Sequence, residues 1–327
     1  MEVTTGIIGA ENLIGESRVL DICRSLSGST RLNFVFAADE VGRGCLAGDV
    51  TVAATCFIRI PAEFNSPDVD FDRVLGTIRD SKKLSDRKRR AACASLHVRA
   101  PRTSSSGEHD LHLSVDDNAR SVYGMGEGDN FLGTLGVAEK SRKKGFVRSL
   151  GSGMRKVRVE SDSKSSALAP EYEWEYLGSH VHSSPPTEID RINITEASRQ
   201  TMSVAIIMLA SRIAKSMHLD LANILDASAL IIDGSLNIPM IEGVAPYQMV
   251  IPGADDKFKS VGAASIIAKT FRDDAMRELA VQYPEFSFDK HKGYGTKAHY
   301  DALALHGYTS VHRRSFNLKT DKKYVKY

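Results

Sequence analysis

The chain has 327 residues, with 43 Lys and Arg against 41 Asp and Glu, a formal charge of +2, and 42% hydrophobic residues. That apolar content excludes wholesale disorder, collagen and coiled coil, and the near-neutral balance excludes a histone-like polycation. The longest apolar run, Val204 to Ala210, falls far short of the ~20 residues needed to cross a bilayer, so no membrane partner is expected. Cys23, Cys45, Cys56 and Cys93 are scattered without a CxxC pair, which points to reduced thiols. Glu2, Glu11, Glu16 and Asp21 argue against an Arg-rich transit peptide or a secretory signal. The expectation is an intracellular protein of the cytoplasm or nucleus, with a mitochondrial address left open.

In chain order, residues 1–32 are weakly patterned and read as an N-terminal extension. Phe34 to Ala38 reads as a buried strand running into the polar turn Asp39 to Gly44, and Val50 to Ile60 follows at hairpin distance. Ser85 is placed to cap a charged helix ending near Leu96, whose Arg87 to Arg90 run reads as a solvated face or a DNA contact. Residues 99–173 are rich in Ser and Gly, lack apolar periodicity, and carry a basic stretch from Lys140 to Arg158. This segment is predicted to be a largely disordered insertion, the basic stretch a nucleic-acid contact.

Tyr172 to Val181 alternates as a strand, which places His180 and His182 on the surface. Pro185 to Asp190 reads as a helix start with Thr187 as cap and Asp190 at the capping-box position. Helical spacing then continues to about Met217. Leu230 to Ile232 is a short strand ending at Asp233-Gly234, and Ser260 to Ala280 a helix. Alternating strands and helices predict an α/β fold with helices on the faces of a sheet. The predicted organisation is a domain over 33–318, interrupted at 99–173 and followed by a basic tail at 319–327.

Three places hold acids at strand ends or on a packed helix: Asp39 with Glu40, Asp233, and Asp273. Taken singly, each fits a turn or a cap. If they converge, their repulsion requires a divalent cation, and oxygen ligands without His or Cys favour Mg²⁺ or Mn²⁺ over zinc.

Six blocks in order then resemble ribonuclease HII: DEVGRGCLAG from Asp39, DSKKLS from Asp80, EIDRINI from Glu188, IDGSLNIP from Ile232, KSVGAASIIAKTFRD from Lys259, and HKGYGT from His291 with HRRSF from His312. With the segments between them they cover nearly all of 33–98 and 175–316, in the wording of the single-chain bacterial form. Cys45 stands where that family usually has proline.

The resemblance implies a ribonuclease H-like fold, a mixed central sheet flanked by helices, with a helical C-terminal segment. It implies cleavage of the RNA strand of RNA–DNA hybrids and of duplex DNA 5′ of a single ribonucleotide. A two-metal site would be held by Asp39, Glu40, Asp233 and Asp273, with Asp274 the competing choice for the fourth. Gly42, Arg43 and Gly44 match the loop that reads the 2′-hydroxyl, and Tyr294 the aromatic that packs on the following deoxyribose. Lys82 and Lys83 are expected to contact phosphate. His291, His299, His306 and His312 are read as structural or phosphate-facing, and Arg313 and Arg314 as structural. The chain is expected to act as a monomer; the rival readings are a catalytic subunit that needs partner chains and a non-catalytic hybrid-binding protein.

Overall fold

The computed structural model describes residues 6–8, 13–27, 32–61, 75–78, 81–96, 172–235, 237–239 and 247–316. Its strands are β1 (Gly6–Ile8), β2 (Phe34–Val41), β3 (Val50–Pro61), β4 (Tyr172–Ser184), β5 (Ser228–Asp233) and β6 (Tyr247–Ile251). The helices are α1 (Ile14–Ser27), α2 (Asp86–Ser95), α3 (Pro186–Ile192), α4 (Ile194–Met217), α5 (Leu221–Asp226), α6 (Lys259–Gln282), α7 (Phe288–His291) and α8 (Lys297–His306). Short 3₁₀ turns cover Ser81–Lys83 and Ala254–Asp256.

One six-stranded sheet has the order β1-β4-β3-β2-β5-β6. β2 and β3 form the expected antiparallel pair, whereas β5 lies parallel to β2, and β6 parallel to β5. Alternation along β2 and β3 sends side chains to two cores. Val35, Ala37, Ala53 and Phe57 pack towards α6 and α1, while Phe36, Ala38, Val52 and Ala54 pack towards Met202, Ile206 and Leu209 of α4. This is the mixed α/β architecture that the sequence predicts. All four cysteines are free and buried.

Several expectations are corrected. Segment 1–32 is not a mere extension: β1 pairs with β4 at the sheet edge, and Leu13, Val19, Leu20 and Cys23 are core residues. Glu16 is only 1% exposed and accepts bonds from the backbone N–H and hydroxyl of Ser260 at 2.9 and 2.8 Å. It thereby serves the start of α6, whose own N-cap, Phe258, has no side-chain acceptor. β4 opens at Tyr172, where the alternating strand was expected, so the insertion bound of 173 runs two residues too far. Residues 99–171, with their basic stretch, and the tail 319–327 lie outside the described residues.

The single helical run after Pro185 is two helices. Asn193, at φ 70°, ends α3 and caps α4 by accepting from Thr195 and Glu196 N–H at 3.0 Å each. The cap of α3 is Pro185 rather than Thr187, because Pro186 occupies the first turn, where its missing N–H costs nothing. Asp190 closes no capping box; its carboxylate accepts from the backbone N–H groups of Arg314 and Ser315 at 2.9 Å each. His180 and His182 are half-buried rather than surface-exposed, and burial pushes the pKa of His180 down to about 3. Ser85 does cap α2, accepting from Lys88 N–H at 3.4 Å.

Candidate active site

The parallel pairing of β2 with β5 reaches Ala38 opposite Ile232, so Asp39 and Asp233 follow side by side on strands about 4.8 Å apart. Carboxyl ends of neighbouring parallel strands are where open α/β sheets hold ligands. Asp39 is 6% exposed, and its pKa is pushed well up, first by burial and then by the charges of Glu40, Asp233 and Asp255. Burial and Asp233 likewise raise Glu40, against the lowering effect of Arg43 at 3.4 Å.

Asp255 was missed in the sequence. It lies in the 3₁₀ turn after β6, is 6% exposed, and adds to the charge on Asp39. Asp233 anchors that turn, its Oδ1 accepting from Ala254 N–H at 2.7 Å. The signal was available: Met249-Val250-Ile251 is an apolar run followed by Gly253 and two acids, the pattern already used for Asp39 and Asp233. Ser265 on α6, also missed, lies beside Asp39 and works against the rise of its pKa, while its hydroxyl donates to Ser81 Oγ at 2.9 Å.

Asp273 does not join this cluster. It lies eight residues beyond Ser265 on the same helix, which is about 12 Å along the axis. Its two oxygens face Arg89 at 3.2 Å and Lys269 at 2.5 Å, a buried ion pair tying α2 to α6. Arg89 is therefore no solvated residue, and its neighbour Arg90 pairs with Asp86 and Asp274. Asp274, the competing choice, is likewise engaged in this network.

The glycines flanking Arg43 differ in purpose. Gly42 has φ +93°, and a Cβ there would lie 2.2 Å from Arg272 Nε. Arg272 is itself fixed, donating to the carbonyls of Asp49, Lys292 and Ala47. Gly44 is exposed with nothing within 4 Å of its Cβ direction, which leaves its backbone open to a ligand. Tyr294 forms an isolated antiparallel bridge with Cys45 and is 41% exposed, beside this loop. Burial raises its phenol pKa. Lys82 and Lys83 are exposed, and Lys83 pairs with Asp256 at 2.7 Å, next to Asp255. Arg313 is structural as expected: it is 1% exposed and donates to the carbonyls of Gly48 and Arg43.

Among the described residues, no group of three or more His, Cys, Asp and Glu is close enough as it stands to hold a metal ion. The donor chemistry of Asp39, Glu40, Asp233 and Asp255 nevertheless fits a hard divalent cation. All are carboxylates, and their mutual repulsion is the charge that such a cation offsets.

Residues 188–319 match the family model for ribonuclease HII. The ribonuclease HII of Parabacteroides distasonis is 39% identical over 158 residues, which are 48% of this chain and 71% of that one. The ribonuclease HII of Vibrio parahaemolyticus is 40% identical over 166 residues, 50% of this chain and 69% of its own. That of Chlamydia caviae is 47% identical over 128 residues, 39% of this chain and 51% of its own. The ribonuclease H2 of Pyrococcus horikoshii overlays 87% of this chain and 94% of its own, at TM-score 0.42 and 16% identity, a likeness too loose to add to the assignment.

The class so defined is a hydrolase, an endonuclease of the ribonuclease H type. Within it, the chain belongs to the ribonuclease HII family. Metal dependence is general to that family, and ribonucleases H act on RNA–DNA hybrids. No helix among the described residues is long and apolar enough to cross a membrane.

Proposed function

We propose that this chain cuts the RNA strand of RNA–DNA hybrids and cuts duplex DNA on the 5′ side of single embedded ribonucleotides. The products are a 3′-hydroxyl and a 5′-phosphate, and the role is removal of misincorporated ribonucleotides and primer remnants during replication and repair. The observation that carries the reading is the gathering of Asp39, Glu40, Asp233 and Asp255 at one end of the sheet, next to the Gly42–Gly44 loop and Tyr294. Bound Mg²⁺ or Mn²⁺, two ions in this reading, supplies charge stabilisation at the scissile phosphate and lowers the pKa of a water.

Within this proposal the four carboxylates hold the metals. Asp273, paired with two cations, keeps α2 against α6 instead. The open backbone of Gly44 faces the ribose 2′-hydroxyl, the group that separates RNA from DNA. Arg43, exposed and linked to Glu40, orients towards the adjoining phosphate. Lys82 and Lys83 take backbone phosphates, and Tyr294 packs on the deoxyribose after the ribonucleotide. A single chain suffices in this reading.

The test uses the purified chain and an end-labelled duplex containing one ribonucleotide. Cutting 5′ of that nucleotide is expected with Mg²⁺ or Mn²⁺ and not with EDTA. Asp39→Ala should abolish cutting and leave hybrid binding largely intact. Cleavage that survives Asp39→Ala overturns the site, and an inert wild-type chain that still binds hybrid overturns single-chain activity.

A further inference from the structure

The exposed ring of Tyr294 sits on a rigid backbone. Its N–H donates to His291 O at 2.9 Å, and the carbonyl of the same peptide unit is tied to the β2–β3 connection by Leu46 N–H donating to Gly293 O at 2.8 Å. Beneath it lie two buried imidazoles, His299 at 0% and His312 at 2% exposure, packed against Phe286 and Phe288. Neither touches the carboxylate cluster in any bond described above, so the proposed chemistry leaves them unused.

The bonds of this pair admit one arrangement of protons. The Thr309 backbone N–H can only donate, and it meets His312 Nδ1 at 3.0 Å, so that nitrogen is bare, the Thr309 hydroxyl at 2.8 Å turns its proton towards it as well, and the ring proton is on Nε2. His312 Nε2–H then donates to His299 Nε2 at 3.1 Å, which places the His299 proton on Nδ1. His299 Nδ1–H donates in turn to the Tyr294 carbonyl at 3.0 Å, which accepts a second bond from Thr296 N–H at 2.8 Å. The chain thus runs from the Thr309 amide through two neutral imidazoles to the backbone of Tyr294. A second proton on either ring would set two donors face to face. Burial, which lowers both pKa values to about 4, keeps each ring neutral at physiological pH.

We infer that His299 and His312 are positioning residues for Tyr294: the oriented pair fixes the Tyr294 carbonyl, hence the angle of its ring, and so sets the preference for an RNA-to-DNA junction. The inference rests on the reading of Tyr294 as the residue that packs on the deoxyribose. Asn and Gln at position 299 separate positioning from packing. Asn puts its amide nitrogen near the place of Nδ1 and keeps the bond to Tyr294, whereas Gln reaches the place of Nε2 and loses it.

The measurement is kcat and KM on two substrates, a duplex with one embedded ribonucleotide and a uniform RNA–DNA hybrid, for wild type, Tyr294→Ala, His299→Asn, His299→Gln and Tyr294→Ala/His299→Gln. The ratio of the two kcat/KM values reports junction preference. Tyr294→Ala and His299→Gln should each lower it by about tenfold, chiefly through KM on the embedded substrate, and His299→Asn by no more than about twofold. The double variant should match Tyr294→Ala alone, because both changes act through one ring. Should His299→Gln fail to fold, His312→Leu, which removes the group that orients His299, supplies the same ratio and should lower it by about threefold or more.

Equal losses for Asn and Gln, additive losses in the double variant, or an unchanged ratio in His299→Gln or His312→Leu overturn the inference alone. An unchanged ratio in Tyr294→Ala overturns the reading of Tyr294 and the inference together.

Discussion

Asp255, in the turn before α6, and Asp273, on α6 itself, are both nearly buried, and their surroundings tell them apart. Asp255 shares its space with other carboxylates, whereas Asp273 is neutralised by Arg89 and Lys269. Asp255→Asn should therefore cut the metal-dependent rate by more than about a hundredfold, beyond what outer-shell changes at metal sites produce, with little effect on melting temperature. Asp273→Asn should do the reverse. Taking one partner from a buried ion pair leaves unpaired charge and costs about 3 kcal/mol, seen as a lowered urea midpoint, while the folded enzyme still cleaves. If Asp273→Asn is inactive but stably folded, and Asp255→Asn is active, the assignment made here is reversed.

At the scale of elements, α6 links core and site. Its first turn is served by Glu16 of α1, its second carries Ser265 to Asp39, and Arg272 further along gathers three backbone carbonyls around Gly42. Glu16→Ala strands the buried N–H and hydroxyl of Ser260, a loss of about 1–3 kcal/mol for each group left unsatisfied. Glu16→Gln retains an acceptor oxygen and should recover much of that loss in a chemical denaturation series. Equal stabilities for the Ala and Gln variants would mean that the carboxamide does not cap the helix. Gly15 is part of the same contact, since a Cβ there would sit 3.1 Å from the ring of Phe258.

For the whole molecule, buried imidazoles give acid sensitivity a definite sign. His180 is depressed to about 3, and His299 and His312 to about 4, each by burial first. In the unfolded chain each titrates at about 6.5. Between those values the unfolded state binds more protons, so the stability these groups contribute is complete above about pH 6.5 and is lost as the pH falls towards 4. Glu16, Asp39 and Glu40 act in the opposite sense. Burial raises them, and their contribution declines as pH rises through the ordinary carboxylate range. A difference measurement isolates one imidazole: His180→Gln should flatten the stability–pH curve between pH 4 and 6.5 by up to about 1.4 kcal/mol per pH unit, one proton's worth. Urea unfolding at pH 5 and pH 7 checks this, and parallel curves for wild type and variant would count against a neutral His180 in the folded chain.

By itself the sequence determined the parts that depend on neighbours along the chain. The apolar run before Asp39, the cap at Ser85, the short strand before Asp233 and the length of α6 were all legible, because strand alternation, capping and helical period are local. So were the ribonuclease HII blocks, since each is contiguous. Tertiary structure decided what depends on register and phase. The apolar run before Asp255 resembles those before Asp39 and Asp233, but which strand ends meet depends on register, and only the pairing of β6 with β5 brings Asp255 to Asp39. Asp273 reads as a ligand in the linear motif, but the rise of α6 carries it away from the strand ends and towards Arg89. The left-handed turn at Asn193 and the core role of Glu16 depend likewise on contacts between distant segments. Periodicity cannot show such contacts, because they form only when the sheet closes its helices around itself.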